Sequence, residues 1–155
     1  MDWTSVDRFI AQAGDLSPWC RGLSEAQLDA RPVPGAWSMR QLVVHMLDSD
    51  LAAGHRMKRM AAEEVPLLIA YDESAFAAKL YEGVDVNLAC ELFRLNRLHT
   101  GEMLRRLPSE AFARTGIHNQ RGKVTLAEMV AIYVHHMDHH APFANAKRVA
   151  LGLEP

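Results

Sequence analysis

Thr125-Leu-Ala-Glu-Met-Val-Ala-Ile-Tyr-Val-His-His-Met-Asp-His-His-Ala-Pro-Phe-Ala144 is the stretch on which the reading of this chain turns. Thr125 followed three residues later by Glu128 forms a capping box, in which each side chain accepts a hydrogen bond from the other residue's amide at a helix start. Behind it Leu126, Met129, Val130, Tyr133, Met137, Phe143 and Ala144 recur largely at steps of three and four, the spacing of a buried helical stripe. His136 and His140 fall on that stripe one turn apart, so their rings project side by side. His135 and His139 keep the same spacing about 100° further round, toward the polar side, and rank second as ligands. Asp138 lies elsewhere on the helix, where it either orients a ligand histidine or faces water.

A second helix supplies the complement. Ser38 with Gln41 repeats the capping box, and it opens a run in which His45 stands among Leu42, Val43, Val44, Met46 and Leu47. A polar ring in so apolar a run costs free energy unless it is hydrogen-bonded or coordinated. A lone core histidine is more often hydrogen-bonded structure than a ligand, and an i, i+4 histidine pair can be simple surface crowding. Three histidines on two apolar stripes point instead to one divalent metal ion held by His45, His136 and His140. Three neutral imidazoles leave a fourth position open, as catalytic rather than structural zinc sites do. An ion so held acidifies water or stabilises a thiolate.

The rest of the chain reads as helix with well-marked stops. Ser24 with Gln27 opens a short helix, while Arg31-Pro-Val-Pro-Gly35, Gly83, Leu107-Pro108 and the span from Gly116 to Gly122 break helical pattern. Four long helices are predicted at roughly 4–21, 38–62, 85–107 and 125–150, with short helical turns in the connections. Sustained alternation of apolar and polar residues is missing, so a sheet is not expected; the one possible hairpin lies near Arg114 to Val124. The expected architecture is all-α, a four-helix bundle in one domain over residues 1–155. Met46, Met57, Met60, Met103, Met129 and Met137 read as core filling, and His55, His99 and His118 as surface or loop residues.

Bulk properties narrow the function. The 155 residues are 49% hydrophobic and 23% charged, and no apolar run approaches the roughly 20 residues of a membrane span. Seventeen basic and nineteen acidic residues are interspersed for a net charge of -2. They form no basic stripe, so neither nucleic acid nor membrane is expected as a partner, and a small molecule is. The first residues lack the basic and apolar runs of a secretory signal, which makes the cytoplasm the expected compartment. Cys20 and Cys90 read as reduced thiols without an assigned role.

Pro34-Gly35-Ala36-Trp37-Ser38, His45-Met-Leu-Asp48, Tyr71-Asp72-Glu73 and His136-Met-Asp-His139-His140, taken in this order and spacing, resemble the DinB/YfiT-like superfamily of metal-dependent four-helix bundles. The resemblance covers nearly the whole chain. It implies an up-down-down-up bundle, often a homodimer, in which His45, His136 and His140 bind zinc, nickel or another divalent ion. It also implies an activity among the hydrolases or the transferases and isomerases that use low-molecular-weight thiols, and no DNA polymerase function. The chain departs from the family pattern at Pro142, where such helices carry an ordinary helix former. A proline there removes a hydrogen bond to Asp138, and a kink at that point would reshape the open position beside His140.

Asp48, one turn beyond His45, and Asp72, in the connection that follows, are the candidates for acid–base work or for orienting a ligand. Each has a plainer alternative, Asp48 as a solvated helix residue and Asp72 as a helix cap. The rival function from another class is a non-catalytic metal-binding or stress-associated bundle that dimerises through helix faces. A third is a metal-free small-molecule binder, in which the histidines would hydrogen-bond to protein groups.

Overall fold

A computed structural model describes residues 3–32 and 36–155. Its helices in chain order are α1 (Thr4–Ala11), α2 (Ser17–Cys20), α3 (Glu25–Asp29), α4 (Met39–Ala62), α5 (Glu73–Lys79), α6 (Val86–Arg105) and α7 (Leu126–Ala150). Helices α1, α4, α6 and α7 make the four-helix bundle: α4 packs along α6 and α7, and α1 lies across α6 and α7. All three predicted capping boxes are formed, at Ser24–Gln27, Ser38–Gln41 and Thr125–Glu128. Asp85 caps α6 by accepting from the amides of Asn87 and Leu88. Pro34 and Gly35, together with Val33, lie outside the described residues.

The predicted first helix is not continuous. It runs to Ala11, tightens into a 3-10 turn over Gln12–Gly14, and restarts as α2 with Pro18 in its first turn. Proline fits there because the missing amide would have had no intrahelical partner. A second correction concerns the sheet. Strands β1 (Leu67–Leu68), β2 (Thr115–His118) and β3 (Gly122–Thr125) form a small three-stranded sheet, β1 parallel to β2 and β2 antiparallel to β3. The hairpin lies where the sequence allowed one. The strand that joins it is two residues long and offers no period to read.

The core divides between the two ends of the bundle. Met39, Val43, Met46 and Phe93 centre one cluster, and Phe9, Met57, Leu126 and Val130 the other. Each such side chain contributes about 1.5–3 kcal/mol by leaving water. Close helix approach depends on two glycines. A Cβ on Gly101 of α6 would stand 2.2 Å from Ile10 of α1, and one on Gly54 of α4 would meet Thr100 of α6 at 2.9 Å.

Charge is also buried between the helices. Arg97 of α6 is fully enclosed, donates to the Asp50 carboxylate and the Gln12 side chain at 2.8 Å, and lies between the rings of Phe9 and Phe93. Its other nitrogen donates to the Tyr133 carbonyl at 2.9 Å, so a single side chain links α1, α4, α6 and α7. Helix α7 remains continuous across Pro142. Among the described residues, no helix is long and apolar enough to cross a membrane.

Candidate metal centre

His45 leaves the first third of α4, and His136 and His140 leave consecutive turns of α7. The packing of α4 on α7 brings the three rings together: Nε2 of His136 lies 3.3 Å from Nε2 of His45 and 3.1 Å from Nε2 of His140. One ligand nitrogen from each of the three falls within 4.8 Å of the others. Nitrogens bound at ~2.0–2.1 Å around a tetrahedral ion stand roughly 3.3–3.4 Å apart, so the two separations from His136 already match such a site.

Electrostatics agree with the geometry. Burial pushes the imidazoles of His45 and His140 down to about 4 and that of His136 to about 3, with the neighbouring histidines adding to each shift. All three are neutral at pH 7, the form in which imidazole offers a lone pair. The Nδ1 atoms of His45 and His140 are buried without a hydrogen-bond partner. Metal-bound histidines usually donate that second N–H to a carboxylate or carbonyl. Here ring contacts do the orienting, with Trp37 at 4.8 Å from His45 and Phe143 at 6.1 Å from His140. Phe143, assigned by periodicity to the buried stripe, is half exposed and covers the His139 and His140 rings instead.

The other sequence candidates are placed as follows. His135 and His139 are exposed, and the His139 ring lies 5.0 Å from that of His140 at the edge of the cluster. Asp138 faces α1, accepting from Arg8 and Gln12 rather than from a ligand histidine. Asp48 is half-buried; burial raises its carboxyl, and the nearby Tyr81 hydroxyl opposes the shift without closing a hydrogen bond of ordinary geometry. Asp72 is exposed and caps α5, accepting from the Ala75 amide at 2.8 Å. His55 and His99 are exposed as expected, whereas His118 is buried in β2, an alternation that short strands hide.

A cavity of about 80 Å³ opens beside His136. Ser49 and Arg56 of α4, Tyr71 and Glu73 at the start of α5, His118, Gln120 and Arg121 of the hairpin, and Tyr133 of α7 line it. Sequence reasoning missed most of these residues. Arg56 carried a signal, since it follows Ala53 and precedes Met57 and Met60 on the apolar stripe of α4. The hairpin residues carried none, because their approach depends on the sheet.

Residues 8–143 match the family model of the DinB superfamily. A protein of Oceanobacillus iheyensis, named as a candidate metal-dependent hydrolase, is 29% identical over 118 residues, spanning 76% of this chain and 69% of its own length. YfiT of Bacillus subtilis, named in the same way, is 31% identical over 121 residues, 76% of this chain and 67% of its own. The solved YfiT structure, described as a four-helix bundle of unusual topology, matches at a TM-score of 0.90 and 25% identity over 97% of this chain and 87% of that one. A second solved structure, a DinB-like protein of Bacillus subtilis, shares the fold at a TM-score of 0.69 and 20% identity, over 98% of this chain and 94% of its own. With the matched region running from α1 past the histidine pair of α7, this chain belongs to the DinB superfamily.

Proposed function

We propose that His45, His136 and His140 bind one divalent metal ion, zinc or nickel, and that the protein is a metal-dependent enzyme acting on a small molecule. The convergence of three neutral imidazoles, one buried and two half-buried, carries this reading. Hydrolysis is the reaction favoured by the names of the relatives, and transfer of a low-molecular-weight thiol is the alternative that the same site would serve. When bound, the ion would supply a Lewis acid that lowers the pKa of a water or thiol at its open position.

The chain's own groups do the rest. Asp48 sits one turn from His45 with its carboxyl raised by burial, a state suited to accepting a proton from the attacking group and returning it to the leaving group. Asp72 acts by position: its cap fixes the start of α5, and with it Tyr71 and Glu73 against the cavity. Arg56 holds the Tyr133 hydroxyl at 2.6 Å, and Tyr133 lies one turn before His136. A homodimer in the cytoplasm belongs to the same reading; Leu88, Leu92 and Leu95 of α6 are exposed, and light scattering on the purified chain tests the assembly.

The test is metal content per chain in protein purified without chelator, for wild type, His45→Ala and His136→Ala. About one ion per wild-type chain, lost in both variants, is expected. Wild type that binds neither zinc nor nickel would overturn the proposal. With metal in place, Asp48→Asn is expected to lower kcat by about a hundredfold without releasing the ion.

A further inference from the structure

The cavity beside His136 contains a buried cation that no carboxylate neutralises at contact. Arg56 is 8% exposed. Its two terminal nitrogens donate to the Tyr133 hydroxyl at 2.6 Å and the Ile69 carbonyl at 2.7 Å, both neutral acceptors. It forms no ion pair among the described residues. Arg40 and Arg97 are as deeply buried, and each has carboxylate partners, Glu25 and Asp29 for the first and Asp50 for the second; Arg148, also buried, has its N–H groups taken up by three backbone carbonyls, those of Trp19, Arg21 and Glu154. Two of the five guanidinium N–H groups of Arg56 are thus used by neutral oxygens, and no anion of the described residues touches the remaining three.

The surroundings fit such a partner. Arg121 and Gln120 face the same cavity from the hairpin, and Tyr71 lines it with a hydroxyl that is buried and unpartnered. Glu73 is the sole acid among the lining residues; it is exposed and forms no ion pair with either arginine, though both attract it at longer range. His118 is neutral at pH 7, pushed down by burial and by Arg56 and Arg121. A water needs roughly 10–15 Å³ of such space, so about 80 Å³ admits a group of a few heavy atoms. The lining runs from Met129 to His136, about 10 Å along α7.

We propose that this cavity seats an oxyanion of the substrate, a carboxylate or a phosphate group, on Arg56, with Tyr71 and Arg121 as further donors and the reacting end directed past Tyr133 to His136. A guanidinium fork matches both anions, and its partial burial strengthens the attraction. This specificity rests on the metal site proposed above for its reacting end, whereas the anion seat uses none of the three histidines as a donor.

The experiment titrates metal-loaded protein with succinate, with inorganic phosphate and with neutral succinamide, following heat of binding. Succinate or phosphate is expected to bind at least about tenfold more tightly than succinamide, and the tighter of the two identifies the anion class. Arg56→Met is expected to weaken that binding about tenfold or more, and Arg121→Ala by a smaller factor, with metal content unchanged in both. The exposed Arg94→Ala serves as the charge-matched control and is expected to have no effect. Because Arg56 also braces Tyr133, a thermal melt verifies that Arg56→Met is folded, and Arg121→Ala gives an independent reading if it is not. Anion binding unchanged in both variants but abolished by His45→Ala would place the anion on the metal and overturn the proposal. Equal binding of succinate and succinamide would also overturn it. A chain that takes up no metal overturns the metal proposal alone, and titration of that metal-free chain still reads the Arg56 seat by the same variants.

Discussion

At the scale of the residue, the centre is held by packing where hydrogen bonds would be expected. His45 is 1% exposed and its Nδ1 has no partner, so the ring's direction depends on the indole of Trp37 at 4.8 Å and on its neighbours in the cluster. Removing that indole should let the imidazole turn without unfolding α4, whose start is fixed separately by Ser38 and Gln41. Trp37→Ala is therefore expected to lower zinc affinity about 10–100-fold, the loss usual when a ligand's supporting partner is removed. Competition with a chromophoric chelator measures it, and an affinity equal to wild type would show that Trp37 does not orient the ring. Sequence alone found the three histidines because each broke an apolar stripe at a helical interval. It did not find the support, since Trp37 precedes the helix and its approach to His45 is a matter of how the chain enters α4.

At the scale of the element, α7 combines a demanding role with a poor helix former. Pro142 leaves the Asp138 carbonyl without its intrahelical donor, yet α7 continues to Ala150 because both of its ends and its inner face are packed. Pro142 is exposed, so Pro142→Ala restores a hydrogen bond without creating a cavity. It is expected to raise stability by about 1–3 kcal/mol, read from urea denaturation, with metal content unchanged. A loss of stability would mean that Pro142 sets a helix geometry the centre needs. Helix starts were legible in the sequence because capping boxes are local, and three of three formed. The break between α1 and α2 was less so, since Gln12–Gly14 still lies on the apolar face and only its turn tightens. The sheet was illegible for another reason: β1 exists by pairing with β2, a contact between residues about fifty apart. Arg97 and Asp50 show the opposite case, a pair of charges on apolar stripes that was readable but whose partners were not. Arg97→Ala would leave Asp50 buried and unpaired, and is expected to cost about 3–5 kcal/mol in the same denaturation.

At the scale of the whole molecule, the proposed metal site and the fold would share one equilibrium. His45, His136 and His140 have imidazoles pushed down to about 4, 3 and 4 in the folded chain, against about 6.5 when unfolded. Between pH 6.5 and pH 4 the unfolded chain therefore binds more protons than the folded one, and stability must fall as pH falls through that window. Each histidine contributes on the order of 1 kcal/mol by pH 5 once solvent screening and mutual coupling are allowed for. A bound ion adds to this above the window, since it binds the folded chain alone: free zinc at a hundred times its Kd stabilises by about 2.7 kcal/mol. Protonation removes the ligands and so removes the ion's contribution as well. Melts of chelator-treated and zinc-loaded protein at successive pH values should thus show a gap above pH 7 that narrows as pH falls toward 5, while the chelator-treated curve itself declines. His45→Gln, which deletes one titrating ring and one ligand, is expected to flatten the decline and to close the gap at every pH. Carboxylates held low by ion pairs, such as Asp29, lose their contribution only nearer pH 4, so they cannot imitate a decline that starts at 6.5. Carboxyls raised by burial, such as Asp48 and Asp50, act in the opposite sense, so the comparison with His45→Gln decides: a variant curve parallel to that of the chelator-treated wild type from pH 7 to pH 5 would mean that the His45 ring is not enclosed in solution.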